Sequence, residues 1–272
     1  DIYSRLLDID PENLNARYRL GHIWAEQGQT AQALEQFAQL ARVYLQQNLP
    51  EVAQKVLHRI LDLDPKDIPH RRQLIQLLTR NLRFDEATEH FRLLLGIHLE
   101  RGELDEARNC VREIVNLQPL NLELRQRLGE MFLKAGFLEE GQKLMEELVS
   151  TYKGRSDHQN VLQVFWTLSS SFEANQQWET ALEYRERIAD EHVEADQWKE
   201  AQEQYLHTLE HYLLRGRKER TDPLFVKLID GFFRHRTVPE GIARLERLEE
   251  SLLDQGRKGL ALIVKDRLAG IM

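Results

Sequence analysis

Three arginines recur at a fixed spacing and have the chemistry to bind an anionic partner. Arg17, Arg71 and Arg125 follow one another at a constant interval of 54 in the sequence. A guanidinium presents a planar fork of donors that matches a carboxylate, so a row of them would suit a carboxylate-bearing partner. The other interpretation is structural, with each stem packed between helices and each head paired to an acid of the neighbouring unit. The spacing alone leaves both interpretations open.

Metal-binding and catalytic patterns are sparse. His207 and His211 share one helix face with Glu203 one turn earlier, a spacing that can hold a divalent metal. Ten histidines in a helical sequence also produce such pairs by chance, so we predict no metal site and no cofactor. The sequence contains no GxSxG, no HExxH and no glycine-rich phosphate loop. We therefore predict no catalytic residues and no enzyme activity, and we expect Cys110 to be an inert buried thiol.

Composition excludes several classes of protein. The 272 residues carry a formal net charge of −8, which disfavours a nucleic-acid partner. Hydrophobic residues make up 42% of the sequence, too many for disorder, yet no apolar run is long enough for membrane insertion. The single cysteine rules out an internal disulfide and makes a cytoplasmic location the default expectation.

Small residues reveal an internal repeat, which defines the elements that must position these side chains. The intervals between them alternate between 20 and 34, and large apolar residues follow each of them four and seven positions on, along one helix face. These small residues are Ala33, Ala53, Ala87, Ala107 and Gly141. Pro11, Pro65 and Pro119 are also 54 apart, and each indicates the end of a helix. The repeating unit is therefore predicted to have a period of 54 and to contain three helices.

This pattern resembles the tetratricopeptide repeat, a helix-turn-helix unit about 34 residues long. Residues 14 to 47 match it with Leu20-Gly21, Trp24, Gly28, Ala33 and Phe37. Residues 34 to 67 and 88 to 121 match it again, ending at Pro65 and Pro119. The resemblance implies an all-α fold, a right-handed α-solenoid of about fifteen stacked antiparallel helices.

The second half follows the pattern less regularly. Ala181 and Ala201 each follow a tryptophan by three residues, and Gly241 and Ala261 form a further pair 20 apart. We predict regular repeats over residues 1–152 and divergent repeats of the same solenoid over residues 153–272. A polar break is expected at residues 215–223. Trp24, Trp178 and Trp198 are expected in the core, and Trp166 is expected to be exposed.

The first residues align with the tail of a unit. We therefore expect a truncated first helix in a segment of a longer polypeptide.

The resemblance also implies where a partner binds. In this family the first helix of each pair lines a concave groove. The polar candidates there, together with the three spaced arginines, are Arg17, Arg19, His22, Arg71, Arg72, Gln76, Arg125, Arg127 and Glu130. The Lys and Asn set of the family's carboxylate clamp is absent, since Tyr18 and His22 hold its first two places.

The predicted function is a non-catalytic scaffold that binds a peptide or helix of another protein. Two alternatives stay open: a regulatory or ligand-sensing segment of a larger signalling or transcription protein, and accessory repeats of an enzyme.

Overall fold

The computed structural model describes residues 2–270, apart from the side chain of Lys218. Asp1, Ile271 and Met272, which the predicted domains include, lie outside the described residues. Over residues 2–270 the chain forms fifteen α-helices and no strand, so the predicted all-α fold is confirmed. The helices are α1 (Ile2–Ile9), α2 (Leu14–Glu26), α3 (Thr30–Gln46), α4 (Pro50–Leu63), α5 (Ile68–Arg80), α6 (Phe84–Glu100), α7 (Leu104–Leu117), α8 (Leu122–Lys134), α9 (Leu138–Lys153), α10 (His158–Ala174), α11 (Trp178–Glu194), α12 (Trp198–Leu214), α13 (Lys218–Arg234), α14 (Val238–Asp254) and α15 (Lys258–Ala269).

The helix starts follow two different spacings. α2, α5 and α8 begin at residues 14, 68 and 122, which are 54 apart, and α3, α6 and α9 begin at 30, 84 and 138 with the same spacing. From α10 onward the starts fall at a shorter constant interval, at residues 158, 178, 198, 218, 238 and 258. The predicted break at 215–223 is present but shorter than expected: a turn occupies residues 215–217, and α13 begins at residue 218 and contains Pro223.

Local capping explains several of these starts. The side chains of Asn13 and Asp67 accept hydrogen bonds from the backbone N–H groups of Ala16 and His70, both at 2.9 Å. Such caps satisfy amides that have no partner inside the helix. Pro11 and Pro65 lie two residues before the caps, where the preceding helix has ended.

Short turns join the helices, and one residue of each tight turn has a positive φ. Among the first nine helices, glycine takes this position in the turns at Gly28, Gly102 and Gly136. The equivalent turn at residue 82 uses Leu82 with φ of 58°, although only glycine adopts this conformation without a steric penalty.

Small residues lie where helices approach each other most closely. Ala33, Ala53, Ala87 and Ala107 are fully buried. A Cβ atom on Gly141 would come within 2.6 Å of Leu133 Cγ, so only glycine fits there without movement. In α13 the buried Thr221 lies at the position of the small residue, 20 residues after Ala201 and 20 before Gly241. Threonine is not part of the alanine and glycine pattern in the sequence.

The chain comprises two compact units, unit 1 (Asp1–Leu122) and unit 2 (Glu123–Met272). Within each unit, helices that follow each other in sequence pack as neighbours, for example α2 on α3 and α10 on α11. Three-residue turns make such neighbours antiparallel. The architecture within the units is thus a series of stacked helical hairpins, while the predicted division at residue 152 stays a prediction.

Ion pairs join alternate helices of unit 2. Arg187 on α11 binds both carboxylate oxygens of Glu146 on α9. Lys227 on α13 lies 2.7 Å from Glu186 Oε1 and 2.8 Å from Asp190 Oδ1, both on α11. These contacts connect α9 with α11 and α11 with α13.

The tryptophans separate into core and surface. Trp198 is buried and donates a hydrogen bond from Nε1 to Thr237 Oγ1 at 2.9 Å. Trp166 is exposed, as predicted. Trp178 is 39% exposed, so its predicted place in the core is wrong. It lies at the first position of α11 beneath the guanidinium of Arg215, 5.3 Å from its ring centroid.

Candidate partner-binding grooves

Unit 1 contains a groove of about 400 Å³ along α5, which we call the α5 groove. α5 supplies most of its wall, α6 supplies one aromatic residue and α7 closes the far side. The lining residues are Arg72, Ile75, Gln76, Thr79, Arg80, Phe91, Glu113 and Leu117. One face of α5 contributes four polar lining residues. Gln76 lies four residues from Arg72, three from Thr79 and four from Arg80, and residues at these spacings share a helix face.

Part of the charge in the α5 groove is already paired within the chain. Arg72 Nη2 donates to Glu106 Oε2 on α7 at 2.6 Å, so its charge is already paired. Arg80 and Glu113 contribute one charge of each sign, and Ile75, Phe91 and Leu117 provide apolar surface. The groove can therefore accept an apolar side chain flanked by polar groups.

Phe91 is the groove residue that sequence reasoning misplaced. It lies four residues after Ala87, and that spacing predicts a packing residue. In the structure it is only half-buried and forms part of the groove wall. No sequence signal distinguishes it from the fully buried Phe37 at the equivalent position, because the difference depends on which helix covers each ring.

A groove of about 580 Å³ in unit 1 lies between α3 and α5. Its lining includes Gln39, Arg42 and Leu45 from α3, and His70 and Gln73 from α5. His70 Nδ1 lies 2.8 Å from the Asp67 carboxylate, which holds the imidazole at the start of α5. None of the predicted site residues lines this groove.

Two predicted residues of unit 2 lie together in a groove of about 470 Å³, which we call the α8 groove. Arg127 and Glu130 line it with Glu123, Gln126, Tyr152, Asn160 and Gln163. Arg127 Nη2 donates to Glu123 Oε1 at 2.6 Å. Burial, with help from nearby Asp157, raises the pKa of Tyr152, so its hydroxyl stays protonated at neutral pH. This lining is almost entirely polar.

The spaced arginines contact the chain itself. Arg17 Nη2 donates to the Pro11 carbonyl at 2.6 Å, and Arg71 Nη2 donates to the Pro65 carbonyl at 2.5 Å. Each second amino group reaches the next helix of the hairpin, at Gln36 Oε1 for Arg17 and at His90 Nδ1 for Arg71, both at 3.0 Å.

These contacts make each of the two guanidiniums a bridge between a loop carbonyl and a neighbouring helix. Arg71 is 4% exposed, and this burial lowers its pKa. Burial and the adjacent Arg71 lower the pKa of His90 to about 4, which keeps its ring neutral and able to accept the bond. Arg17 and Arg71 thus have structural contacts, but these hydrogen bonds go to loop carbonyls and to the neutral side chains of Gln36 and His90, not to the predicted acid of a neighbouring unit.

The other predicted residues do not gather around these grooves. Arg125 is half-buried and has a partner within the structure. Arg19 is exposed. His22 is half-buried, with its ring centroid 5.4 Å from that of Phe37 in an edge-to-face arrangement, and burial together with Arg59 lowers its pKa. The structure thus brings Arg72 and Gln76 together in one groove and Arg127 with Glu130 in another.

His207 and His211 do share one face of α12, with ring centroids 4.5 Å apart. Arg215 Nη1 lies 2.9 Å from His211 Nδ1, and burial and nearby arginines lower the pKa of both imidazoles. Cys110 is buried as predicted, and burial raises its thiol pKa to about 11, so it is a poor nucleophile. Among the described residues, no helix is long and apolar enough to cross a membrane.

Comparison with known proteins finds similarity in structure alone. No family model and no curated protein matches this chain. A circular tandem repeat protein with a novel repeat topology is 11% identical, over 95% of this chain and 75% of that chain, with a TM-score of 0.40. YrrB, a TPR protein with an unusual peptide-binding site, is 13% identical over 75% of this chain and 98% of its own, with a TM-score of 0.27.

A Rap protein complexed with competence and sporulation factor is 12% identical over 98% of this chain and 79% of that chain, with a TM-score of 0.34. At these identities the comparison concerns the arrangement of helices, and the ligands of those proteins are not transferred to this chain.

Proposed function

We propose that this chain is a non-catalytic interaction scaffold that binds a peptide segment of another protein in the α5 groove. The observation that carries the proposal is the lining of that groove, in which apolar Ile75, Phe91 and Leu117 lie beside polar Gln76 and charged Arg80. Peptide sites commonly combine an apolar anchor pocket with a few polar groups that set orientation.

The chemistry of the groove limits the partner. Glu106 neutralises Arg72, so Arg80 and Glu113 are the charges left to contact a ligand. We therefore expect a segment with one large apolar residue and charges of both signs nearby. Stacked helices supply a long surface for such a segment. A cytoplasmic location, the absence of a nucleic-acid partner and membership of a longer polypeptide stay predictions.

Selection from a library of displayed random peptides tests the proposal. Peptides selected on the wild-type chain are then measured by fluorescence anisotropy against Thr79→Trp, which fills the groove, and against Gln76→Ala with Arg80→Ala. Arg112→Trp is the matched control, because Arg112 is exposed on α7 and does not line the groove. We expect both groove variants to weaken binding at least about tenfold, or 1.4 kcal/mol, and the control to leave it unchanged.

Two results would reject the proposal. One is a set of peptides that binds wild type and Thr79→Trp equally well, which would place the site elsewhere. The other is the failure of repeated selections to enrich any peptide on the folded chain.

A further inference from the structure

Glu191 is a charged group in an unusually buried place. Its side chain is 1% exposed on α11, and it is the only acidic residue among the buried residues of the described chain. A carboxylate removed from water is costly unless cations or donors compensate its charge. The neighbours that surround Glu191 therefore indicate what this place can hold.

Two side chains from the two preceding helices contact Glu191. His158, the first residue of α10, has its Nδ1 2.6 Å from Glu191 Oε1. Lys153, the last residue of α9, has its Nζ 2.9 Å from Glu191 Oε2 and 3.0 Å from Glu194 Oε2. Lys153 is the ionic partner of Glu191 Oε2, and its single ammonium is shared with Glu194. The charge of the two carboxylates is thus only partly compensated.

His158, Glu191 and Glu194 are also of the residue types that bind metal ions, and they lie close together. One ligand atom each from His158, Glu191 and Glu194 lies within 4.8 Å of the other two. Ligands of a tetrahedral zinc ion at 2.0–2.2 Å are about 3.3–3.6 Å apart, so small side-chain movements bring these atoms to the required distances. One imidazole nitrogen with two carboxylates suits Zn²⁺ better than Mg²⁺ or Ca²⁺, which prefer oxygen ligands alone.

We propose that His158, Glu191 and Glu194 form a Zn²⁺ site in which the ion displaces the ammonium group of Lys153. The exchange is physically simple, because the Lys153 side chain is 41% exposed at the end of its helix and can turn into solvent. A divalent ion balances the two carboxylates, where the single charge of Lys153 balances one. Glu194 and His158, both partly exposed, leave a path for the ion and a position for water.

The bound ion would act as a clamp. His158 begins α10 directly after the loop from α9, whereas both glutamates belong to α11. Because a ligand that binds the folded state stabilises it, Zn²⁺ is expected to raise the melting temperature of the chain.

Isothermal titration of the full chain with ZnCl₂, in parallel with thermal melting, tests the site. All variants are made in a His207→Ala, His211→Ala background, which removes the other histidine pair. We expect one Zn²⁺ per chain, and MgCl₂ at the same concentrations should give no binding.

Ligand variants should weaken Zn²⁺ binding at least about tenfold, the lower end of the loss that even an outer partner of a metal ligand causes. The variants are Glu191→Gln, His158→Ala and Glu194→Gln. Glu194 is 54% exposed, so Glu194→Gln tests the ligand even where Glu191→Gln unfolds the chain. Glu186→Gln, which alters the ion pair with Lys227, should leave affinity unchanged.

Lys153→Met gives the sharpest result. If the ion displaces Lys153, removing the competing ammonium strengthens Zn²⁺ binding. An unchanged or weaker affinity for Lys153→Met would overturn the displacement, and absent binding in the double-histidine background would overturn the site.

Discussion

At the scale of single residues, arginines repeated every 54 positions are consistent with two different roles, binding a partner and stabilising the fold. Arg17 and Arg71 hold the carbonyls of Pro11 and Pro65, and these prolines recur at the same interval as the arginines. The repeated arginine and the repeated proline are therefore one device, in which the guanidinium satisfies a carbonyl that the loop leaves without a helical partner.

Arg71→Met tests this role. Removing the guanidinium leaves the Pro65 carbonyl and the His90 ring without their donor, which we expect to cost about 1–3 kcal/mol of unfolding free energy. Arg80→Met, an exposed arginine on the same helix, should change stability by no more than about 0.5 kcal/mol. Urea unfolding followed by circular dichroism measures both. Equal effects of the two substitutions would contradict a structural role for Arg71.

At the scale of elements, the turns repeat as strictly as the helices. Gly28, Leu82 and Gly136 occupy equivalent turn positions in successive units, with φ values of 72°, 58° and 84°. From residue 176 to residue 256 the positive φ recurs at the same constant interval as the helix starts, at Gln176, Asp196, Gly216, Arg236 and Gly256. The positive φ of the turn is thus repeated even where the residue is not glycine.

Exchanging residues at equivalent turns should have opposite effects. Gly28→Ala places a Cβ at positive φ, which we expect to destabilise the chain by about 1–2 kcal/mol. No atom lies within 4 Å of the added Cβ, so the loss comes from the backbone alone.

Leu82 is 73% exposed, so Leu82→Gly loses little packing. We expect Leu82→Gly to stabilise by less than about 1 kcal/mol, since the greater freedom of glycine in the unfolded chain offsets part of the gain. Thermal melting of the two variants measures both effects. If Gly28→Ala and Leu82→Gly moved the melting temperature in the same direction, positive φ would not explain the stability of these turns.

At the scale of the molecule, the core is assembled from neighbouring helices. In unit 2 one core cluster extends from Leu182 to Leu268, and Leu209 on α12 is fully buried in it. Because a helix in such a stack contacts mainly the helices next to it, stability is expected to be a sum of local interfaces.

Leu209→Ala makes this measurable. We expect a loss of about 2–5 kcal/mol for the cavity. Hydrogen–deuterium exchange followed by mass spectrometry should show the largest acceleration in α11, α12 and α13, and less in α9 and α15. Equal acceleration along all of unit 2 would instead indicate a single cooperative core.

Much of the fold could be predicted from local signals. Small residues and prolines indicated the three-helix repeat of the first nine helices, and glycine occupies the positive-φ position in the turns at residues 28, 102 and 136. The predicted break at residues 215–223 was too long, because charged residues and Pro223 suggested a loop that continues past residue 217. Pro223 is the sixth residue of α13, beyond the first turn where proline is tolerated without cost, and the regular spacing of the later helices nevertheless places α13 there.

Helical periodicity and capping act within a few residues, so the order of amino acids is enough to indicate a helical chain and the apolar face of most helices. Which face is covered, and by which helix, depends on how the helices pack in three dimensions. Phe91 and Phe37 hold equivalent positions, yet one lines a groove and the other is buried. Glu191 meets His158, 33 residues earlier in the chain, and Lys153 because α10 packs beside both α9 and α11. Periodicity describes one helix at a time, whereas burial and site geometry arise from how successive helices stack.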